Sequence, residues 1–347
     1  MIRVLIADDS AFSRVTLSRM IEKDPSIRVV ATAVNGQEAI RQAVERQPDL
    51  ITLDLEMPGM DGFSVLRWLA SNRPTPTIVV SSRNGKEDVF RALDLGAIDF
   101  IVKPTARASL EYEKLETVLL EKIRAAASGK PRVTAVKAAA VETPVPAGPA
   151  EHALILIGAS TGGPGAVTTV LSALPKLPFP IVCAQHMPAG FTSLFAERLT
   201  RVAPFPVSEA RDGQELSGGR AYLAPGGFHL EIEASGGKLL ARVLNKSADD
   251  FYSPSVNRLF TTAARAAGHR TVAAVLTGMG NDGRAGIQAI RAAGGRTIAE
   301  SEETCVVFGM PREAAESGAV QEVVPLQEIP RVIVRMLSEL ERVARPA

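Results

Sequence analysis

Three candidate strands in the second half of the chain run out into a serine, a histidine and an aspartate: Ser160 in ILIGASTGGP, His186 in PIVCAQHMP and Asp282 in TVAAVLTGMGNDG. These residue types make a nucleophilic acyl-transfer site, because a serine hydroxyl needs a base at neutral pH, histidine is the usual base, and a carboxylate orients the imidazole. Their wide separation is no obstacle. In a doubly wound parallel sheet the carboxyl ends of the strands share one edge, where ligands bind. Of the four histidines, His152 leaves a Pro/Ala-rich stretch, His229 lies within a candidate strand and His269 in a turn, so only His186 stands at a strand's carboxyl end. The chain order Ser, His, Asp does not matter, since such sites are defined by geometry.

The first half carries a different constellation. Asp8 and Asp9 follow the first strand, Asp54 ends the third, and Lys103 ends the fifth, just before Pro104. Three carboxylates at one sheet edge repel one another unless they hold a hard divalent cation through oxygen. A lysine beside them can pair with an incoming phosphoryl oxygen, so the cluster suits phosphate carried on a carboxylate.

Alternating strand and helix patterns position both groups. Residues 1–124 show five strands, near Arg3–Ala7, Arg28–Ala33, Leu50–Leu53, Thr77–Val80 and Ile98–Val102, and a last helix with Leu115, Val118, Leu119 and Ile123 at helix spacing. Residues 125–152 are rich in Ala, Pro, Val and Thr, carry no aromatic and read as a linker. Residues 153–347 resume the pattern, with strands near Ala153–Ile157, Ile181–Ala184, Thr271–Leu276 and Arg296–Ala299. Ala221–Ala224, His229–Ile232 and Leu239–Val243 read as an antiparallel patch at one sheet edge, and Ser255–Ala267 as a core-facing helix. The expected fold class is α/β: an N-terminal (βα)5 flavodoxin-like domain, then a doubly wound domain with a mainly parallel sheet and a small antiparallel patch.

With 347 residues, 46% of them hydrophobic, the chain can bury two cores. Its 39 Lys+Arg almost cancel its 38 Asp+Glu, which argues against nucleic acid or anionic lipid as a partner. The C-terminal half is strand-rich and has no basic stripe, which disfavours a DNA-binding output. Cys183 and Cys305 lack metal-knuckle or redox-pair spacing and read as buried free thiols. Without a signal peptide or spanning apolar run, the expected location is the cytoplasm, with no membrane insertion.

Two nucleotide readings compete with the acyl-transfer site. GASTGGPG follows a strand and precedes a helix, but Pro164 stands where a phosphate loop requires lysine. The alternative of dinucleotide binding rests on Gly278, Gly280 and Gly283, which satisfy GxGxxG after a strand, with Glu300 ending the next strand where a ribose-binding acid belongs. Against it, the motif comes late in the domain, and Asp282 would set a negative charge beside a pyrophosphate.

Residues 1–124 resemble the receiver domain of response regulators through ADDS at 7–10, LDLEMPGMDG at 53–62, VVSS at 79–82 and GAIDFIVKP at 96–104. The resemblance implies that Asp54 is the phosphoacceptor, that Mg²⁺ is held by Asp9 and Asp54 directly, Asp8 through water and Glu56 through its backbone carbonyl, and that Ser81, Phe100 and Lys103 form the switch. GASTGGP at 158–164, QHMPAGFT at 185–192, YLAPGG at 222–227, PSVNRLF at 254–260 and LTGMGNDG at 276–283 resemble the catalytic domain of the CheB methylesterases of chemotaxis. That family has receiver, linker and catalytic domain in this order. It implies Ser160 as nucleophile, His186 as base and then acid, Asp282 as orienting carboxylate, and Thr161 and Met279 as candidate oxyanion-hole donors, with no cofactor for the esterase. The implied substrate is a glutamate γ-methyl ester on a methyl-accepting chemoreceptor, hydrolysed with release of methanol, and in some members a receptor glutamine. The implied phosphodonor is a histidine kinase of the CheA type, whose phosphorylation of Asp54 lifts a restraint by the receiver on the catalytic face.

Overall fold

A computed structural model of the chain describes residues 1–81, 85–103, 109–128, 153–247 and 250–344. It divides into two compact units, Met1–Thr134 and Ala135–Ala347.

In the first unit, β1 (Ile2–Ala7), β2 (Ile27–Ala33), β3 (Leu50–Leu53), β4 (Thr77–Ser81) and β5 (Asp99–Val102) form a parallel sheet in the order β2-β1-β3-β4-β5. The helices are α1 (Ala11–Ile21), α2 (Gly36–Arg46), α3 (Gly62–Asn72), α4 (Lys86–Asp94) and α5 (Ser109–Ser128). The strand order reverses beside β1, which opens a crevice at the carboxyl ends of β1 and β3, where Asp8 and Asp54 stand. Val4, Ile6, Leu50, Ile78 and Ile101 build one face of the core against Leu17 and Ile21 of α1 and Leu115, Leu119 and Ile123 of α5. Val118, expected on the same stripe, is 39% exposed; the buried set repeats every four residues and leaves it outside. Helix α5 continues to Ser128, the alanines that open the 125–152 stretch prolonging it, because Ala125 and Ala126 favour helix and are buried. The rest of the expected linker, 129–152, lies outside the described residues.

The second unit contains a seven-stranded, wholly parallel sheet ordered β14-β13-β12-β6-β7-β9-β8. Its strands are β6 (Leu154–Ala159), β7 (Ile181–Gln185), β8 (Val207–Glu209), β9 (Ala221–Leu223), β12 (Thr271–Val275), β13 (Arg296–Glu300) and β14 (Glu322–Val324). Ala221–Leu223 therefore belongs to the main sheet, paired in parallel with β7 and β8, and not to an antiparallel patch. Among the described strands, β10 (Phe228–Ser235) and β11 (Lys238–Asn245) pair antiparallel, as a separate two-stranded sheet joined at Gly236 and Gly237. Both glycines have positive φ, 57° and 77°, which a tight hairpin turn requires. The helices are α6 (Gly163–Ala173), α7 (Thr192–Val202), α8 (Val256–Ala267), α9 (Arg284–Ala292), α10 (Met310–Glu316) and α11 (Ile329–Ala344).

Helix α8 carries the predicted stripe, with Val256, Leu259, Phe260, Ala263, Ala264 and Ala267 all buried. Two glycines let it pack close: a Cβ on Gly158 would lie 2.4 Å from Val256 Cγ1, and one on Gly286 2.6 Å from Phe260 Cβ. Replacing Phe260 by alanine should cost about 3–5 kcal/mol. Urea unfolding of the full chain checks this, and an unchanged midpoint for the second unit would contradict the packing described.

Candidate functional site

The carboxyl edge of the first sheet gathers the predicted acidic residues. One ligand oxygen from each of Asp8, Asp9 and Asp54 lies within 4.8 Å of the other two. Asp8 and Asp54 are buried, Asp9 is exposed, and Lys103 bonds Asp54 and lies 2.9 Å from Asp8 Oδ2. Burial, aided by the Asp54 charge, pushes the Asp8 carboxyl above its ordinary value against the pull of Lys103 and the Ser10 N–H. Burial likewise opposes the charge on Lys103, but its two carboxylates overcome this and hold the ammonium above its usual range. One lysine cannot neutralise three carboxylates, so this all-oxygen set suits a hard divalent cation such as Mg²⁺. The Glu56 N–H donates to Asp54 Oδ1 at 3.2 Å, which brings its peptide to the cluster while its side chain is exposed. Ser81 is buried at the end of β4, its carbonyl accepting the Lys103 N–H at 2.7 Å, and Phe100 is buried on β5.

At the second sheet's carboxyl edge, Ser160, His186 and Asp282 come into line. His186 Nδ1 lies 3.1 Å from Ser160 Oγ, and Nε2 lies 2.8 Å from Asp282 Oδ2. With Nε2–H donated to the carboxylate, Nδ1 is left as the acceptor facing the hydroxyl, which is the tautomer a general base needs. Ser160 follows β6 directly and His186 follows β7. Asp282 comes from the loop between β12 and α9 and is buried against the amino end of α8. There it accepts the Val256 N–H at 2.7 Å, the Asn257 N–H at 2.8 Å and the Ser255 hydroxyl at 3.1 Å. Burial alone would raise its carboxyl, but the His186 bond and these backbone donors outweigh it and hold Asp282 below its ordinary value.

The backbone near the serine is tightly held. Thr161 is buried, and its carbonyl accepts the Thr277 hydroxyl at 3.0 Å. Half-buried Met279 belongs to a loop packed on the serine: a Cβ on neighbouring Gly278 would meet Ser160 Cβ at 2.7 Å. Several supporting residues were given no role from the sequence, although Gln185 and Asn257 lie in the motifs that carry the resemblance. Buried Gln185 donates from Nε2 to the carbonyls of Ser160 at 2.9 Å and His186 at 3.1 Å. Asn257 Oδ1 accepts the Gly283 and Gly286 N–H groups, each at 2.9 Å. Tyr252 stacks on the His186 ring, with centroids 4.4 Å apart and planes 11° apart, and Phe251, 61% exposed, meets Tyr252 edge-on. Their segment is tied down where buried His229 bonds Asp250 at 2.9 Å. That bond, after the larger effect of the Ser247 N–H, holds Asp250 at about 2.

The dinucleotide reading fails on the same geometry. Gly278 is packed against Ser160 and Met310, and a Cβ on Gly280 would lie 2.4 Å from the Tyr252 hydroxyl, so protein atoms fill the space a pyrophosphate would need. Glu300 is wholly buried and bonded to Thr277 and Thr304, out of reach of a ribose.

A receiver-type (βα)5 unit followed by an α/β unit with a Ser-His-Asp line defines a signal-regulated hydrolase. The response regulator receiver domain model matches residues 4–113 and the CheB methylesterase model residues 155–333. A Geobacter sulfurreducens protein named protein-glutamate methylesterase/protein-glutamine glutaminase 3 is 45% identical, over 98% of this chain and 99% of its own. A Myxococcus xanthus protein with the same two activities in its name is 46% identical, over 94% and 95%. The crystal structure of the Thermotoga maritima CheB methylesterase catalytic domain aligns with a TM-score of 0.52 at 40% identity, covering 53% of this chain and 98% of that one. The chain belongs to the CheB methylesterase family.

The acidic cluster gives a direct test. Mg²⁺ at about 100 times its Kd should stabilise the first unit by about 2.7 kcal/mol. Asp9→Asn should abolish most of this gain in thermal unfolding, and an equal gain in both proteins would remove the cation from this cluster.

Proposed function

We propose that the chain is a phosphorylation-activated protein-glutamate methylesterase and protein-glutamine glutaminase acting on methyl-accepting chemoreceptors. The observation that carries the reading is the unbroken Ser160–His186–Asp282 line, at 3.1 and 2.8 Å, in a chain whose full-length relatives bear those names.

Ser160 Oγ attacks the γ-carbonyl of a methylated glutamate while His186 Nδ1 takes its proton. Asp282 steadies the imidazolium through Nε2–H. The tetrahedral oxyanion is held by backbone N–H groups at Thr161 and Met279, each donor worth about 10²–10³ in rate. The imidazolium then protonates the departing methoxide, and methanol leaves an acyl-enzyme. Water, deprotonated by His186, attacks that ester; free glutamate departs and the proton returns to Ser160. With glutamine the same steps expel ammonia.

In the first unit, Asp54 accepts a phosphoryl group from a CheA-type histidine kinase. Asp8, Asp9, Asp54 and the Glu56 carbonyl would hold Mg²⁺, which neutralises charge building on the phosphoryl oxygens. Lys103 pairs with the phosphoryl group, Ser81 senses it through its hydroxyl, and Phe100 follows as the switch residue. Phosphorylation lifts the receiver's restraint on the catalytic unit, and the setting is the cytoplasm, where receptor signalling segments and kinase meet.

Methanol release from methylated receptor membranes, with and without Mg²⁺ and a small phosphodonor, tests the reading. Ser160→Ala should lower release by about 10⁴ or more. Asp54→Ala should keep basal release and lose the phosphodonor's stimulation. Wild-type release from the Ser160 variant would overturn the nucleophile, and stimulation surviving in the Asp54 variant would overturn the phosphoacceptor.

A further inference from the structure

Glu300 ends β13 with its side chain wholly buried, and the hydrolysis steps leave it without a role. Oε2 accepts the Thr277 N–H at 2.8 Å and Oε1 accepts the Thr304 hydroxyl at 3.0 Å. Thr277 stands just where β12 leaves its ladder with β13, whose last register pair is Val275 with Ala299. The carboxylate thus replaces the neighbouring backbone as acceptor. Thr277 in turn grips the serine's segment: its carbonyl accepts the Ser160 N–H at 3.0 Å, and its hydroxyl donates to the Thr161 carbonyl and accepts the Val307 N–H at 2.9 Å. The Gly278 N–H donates to the Val307 carbonyl at 3.1 Å, locking the loop of Met279 to the same hub.

We infer that Glu300 is a positioning residue for the hydrolysis, fixing through Thr277 the backbone that presents Ser160 to His186. The inference rests on Ser160 being the nucleophile. A purely structural role accounts poorly for a carboxylate here, because an apolar side chain would be easier to bury. The groups facing it are Thr277 from the β12 loop, and Thr304 and Cys305 from the segment leading to α10; none is a cation. The Cys305 thiol is itself held well above its usual range, first by burial and then by the Glu300 charge, and stays neutral. Burial lifts the Glu300 carboxyl to about 7 against the pull of Thr277 and Thr304. Ionised, it accepts from both; protonated on Oε1, it donates to the Thr304 hydroxyl while Oε2 still accepts the Thr277 N–H. Burial disfavours the ionised form, and stability follows. A carboxyl raised from 4.5 contributes its full stability below 4.5 and loses it as pH rises through about 7.

The test uses the full chain with Glu300→Leu, Glu300→Gln and Ser160→Ala. It reads methanol release from methylated receptor membranes, amide exchange at Thr277 and Ser160, and urea stability between pH 6 and 8. Glu300→Leu should keep KM within about twofold and lose about 10–100-fold in kcat, the effect of a nucleophile displaced by about an ångström, with faster exchange at both amides. Glu300→Gln keeps a carbonyl for Thr277, so it should recover most of kcat and lose the wild type's fall in stability across this pH range. A folded leucine variant with wild-type kcat and exchange overturns the proposal. Should that variant not fold, a glutamine variant that keeps Thr277 protection yet loses kcat about tenfold or more, or that loses the protection with wild-type kcat, overturns it instead. Release persisting in Ser160→Ala would fail the nucleophile alone, since the exchange data still report on the Glu300–Thr277 anchor.

Discussion

A carboxylate cut off from water stays ionised only if other donors replace its hydration, and much of the catalytic half is arranged to supply them to Asp282. The donors are His186 Nε2 and the first turn of α8, with the Ser255 hydroxyl and the Val256 and Asn257 N–H groups. A helix amino end offers unsatisfied N–H groups and a positive dipole, so these backbone donors join His186 and the Ser255 hydroxyl in offsetting the burial of Asp282. This requires α8 to lie close on β6 and α9, which Gly158 and Gly286 permit. Asn257 then ties the same turn back to Gly283 and Gly286, on the far side of Asp282. The fit of one helix end thus fixes where Asp282 sits and holds its charge.

The first unit handles buried acid in another way. Asp8 and Asp54 share Lys103 with Asp9 close by, and Asp8 is pushed above its ordinary value, chiefly by burial. Such an underneutralised cluster at the strand-order reversal is unfavourable by itself and is relieved by a divalent cation or by rearrangement around an added phosphoryl group. One half of the chain therefore holds a carboxylate supplied with four donors, and the other holds clustered carboxylates short of countercharge.

Much of this was readable from sequence because a buried parallel sheet imposes strong patterns. Continuous apolar runs marked β6, β7, β12 and β13, and the residues at or soon after their ends were the ones brought together at the site. Strands of three residues were harder. Both β8 and β14 passed unnoticed, and β9 was assigned to the wrong sheet, since so short a run shows neither alternation nor a pairing preference. Val118 was misplaced because spacings of three and four both fit a helix, and only the packed partner chooses between them. The roles of Tyr252, Gln185 and Asn257 were unreadable for a deeper reason, although the last two lie within QHMPAGFT and PSVNRLF. Each acts through a contact across the fold, a stacked ring or a backbone carbonyl, for which one sequence contains no spacing rule.

The topology also explains which imidazole nitrogen faces the serine. In the Ser-His-Asp arrangement of chymotrypsin, Nε2, the nitrogen farther from the backbone, reaches the hydroxyl; in this protein it is Nδ1. Ala159 and Gln185 are register partners on adjacent parallel strands, so Ser160 and His186 are the next residues along two neighbouring chains. The His186 N–H bonds the Ala159 carbonyl at 3.0 Å, and the Gln185 amide bridges the Ser160 and His186 carbonyls, holding the two backbones close. At that range the near nitrogen already meets the hydroxyl, and the far one is free to reach Asp282, which comes from the loop after β12 on the other side of β6. Tyr252 then fixes the ring plane by stacking. The orientation follows from placing Ser160 and His186 at the ends of adjacent strands, with Asp282 arriving from the opposite flank.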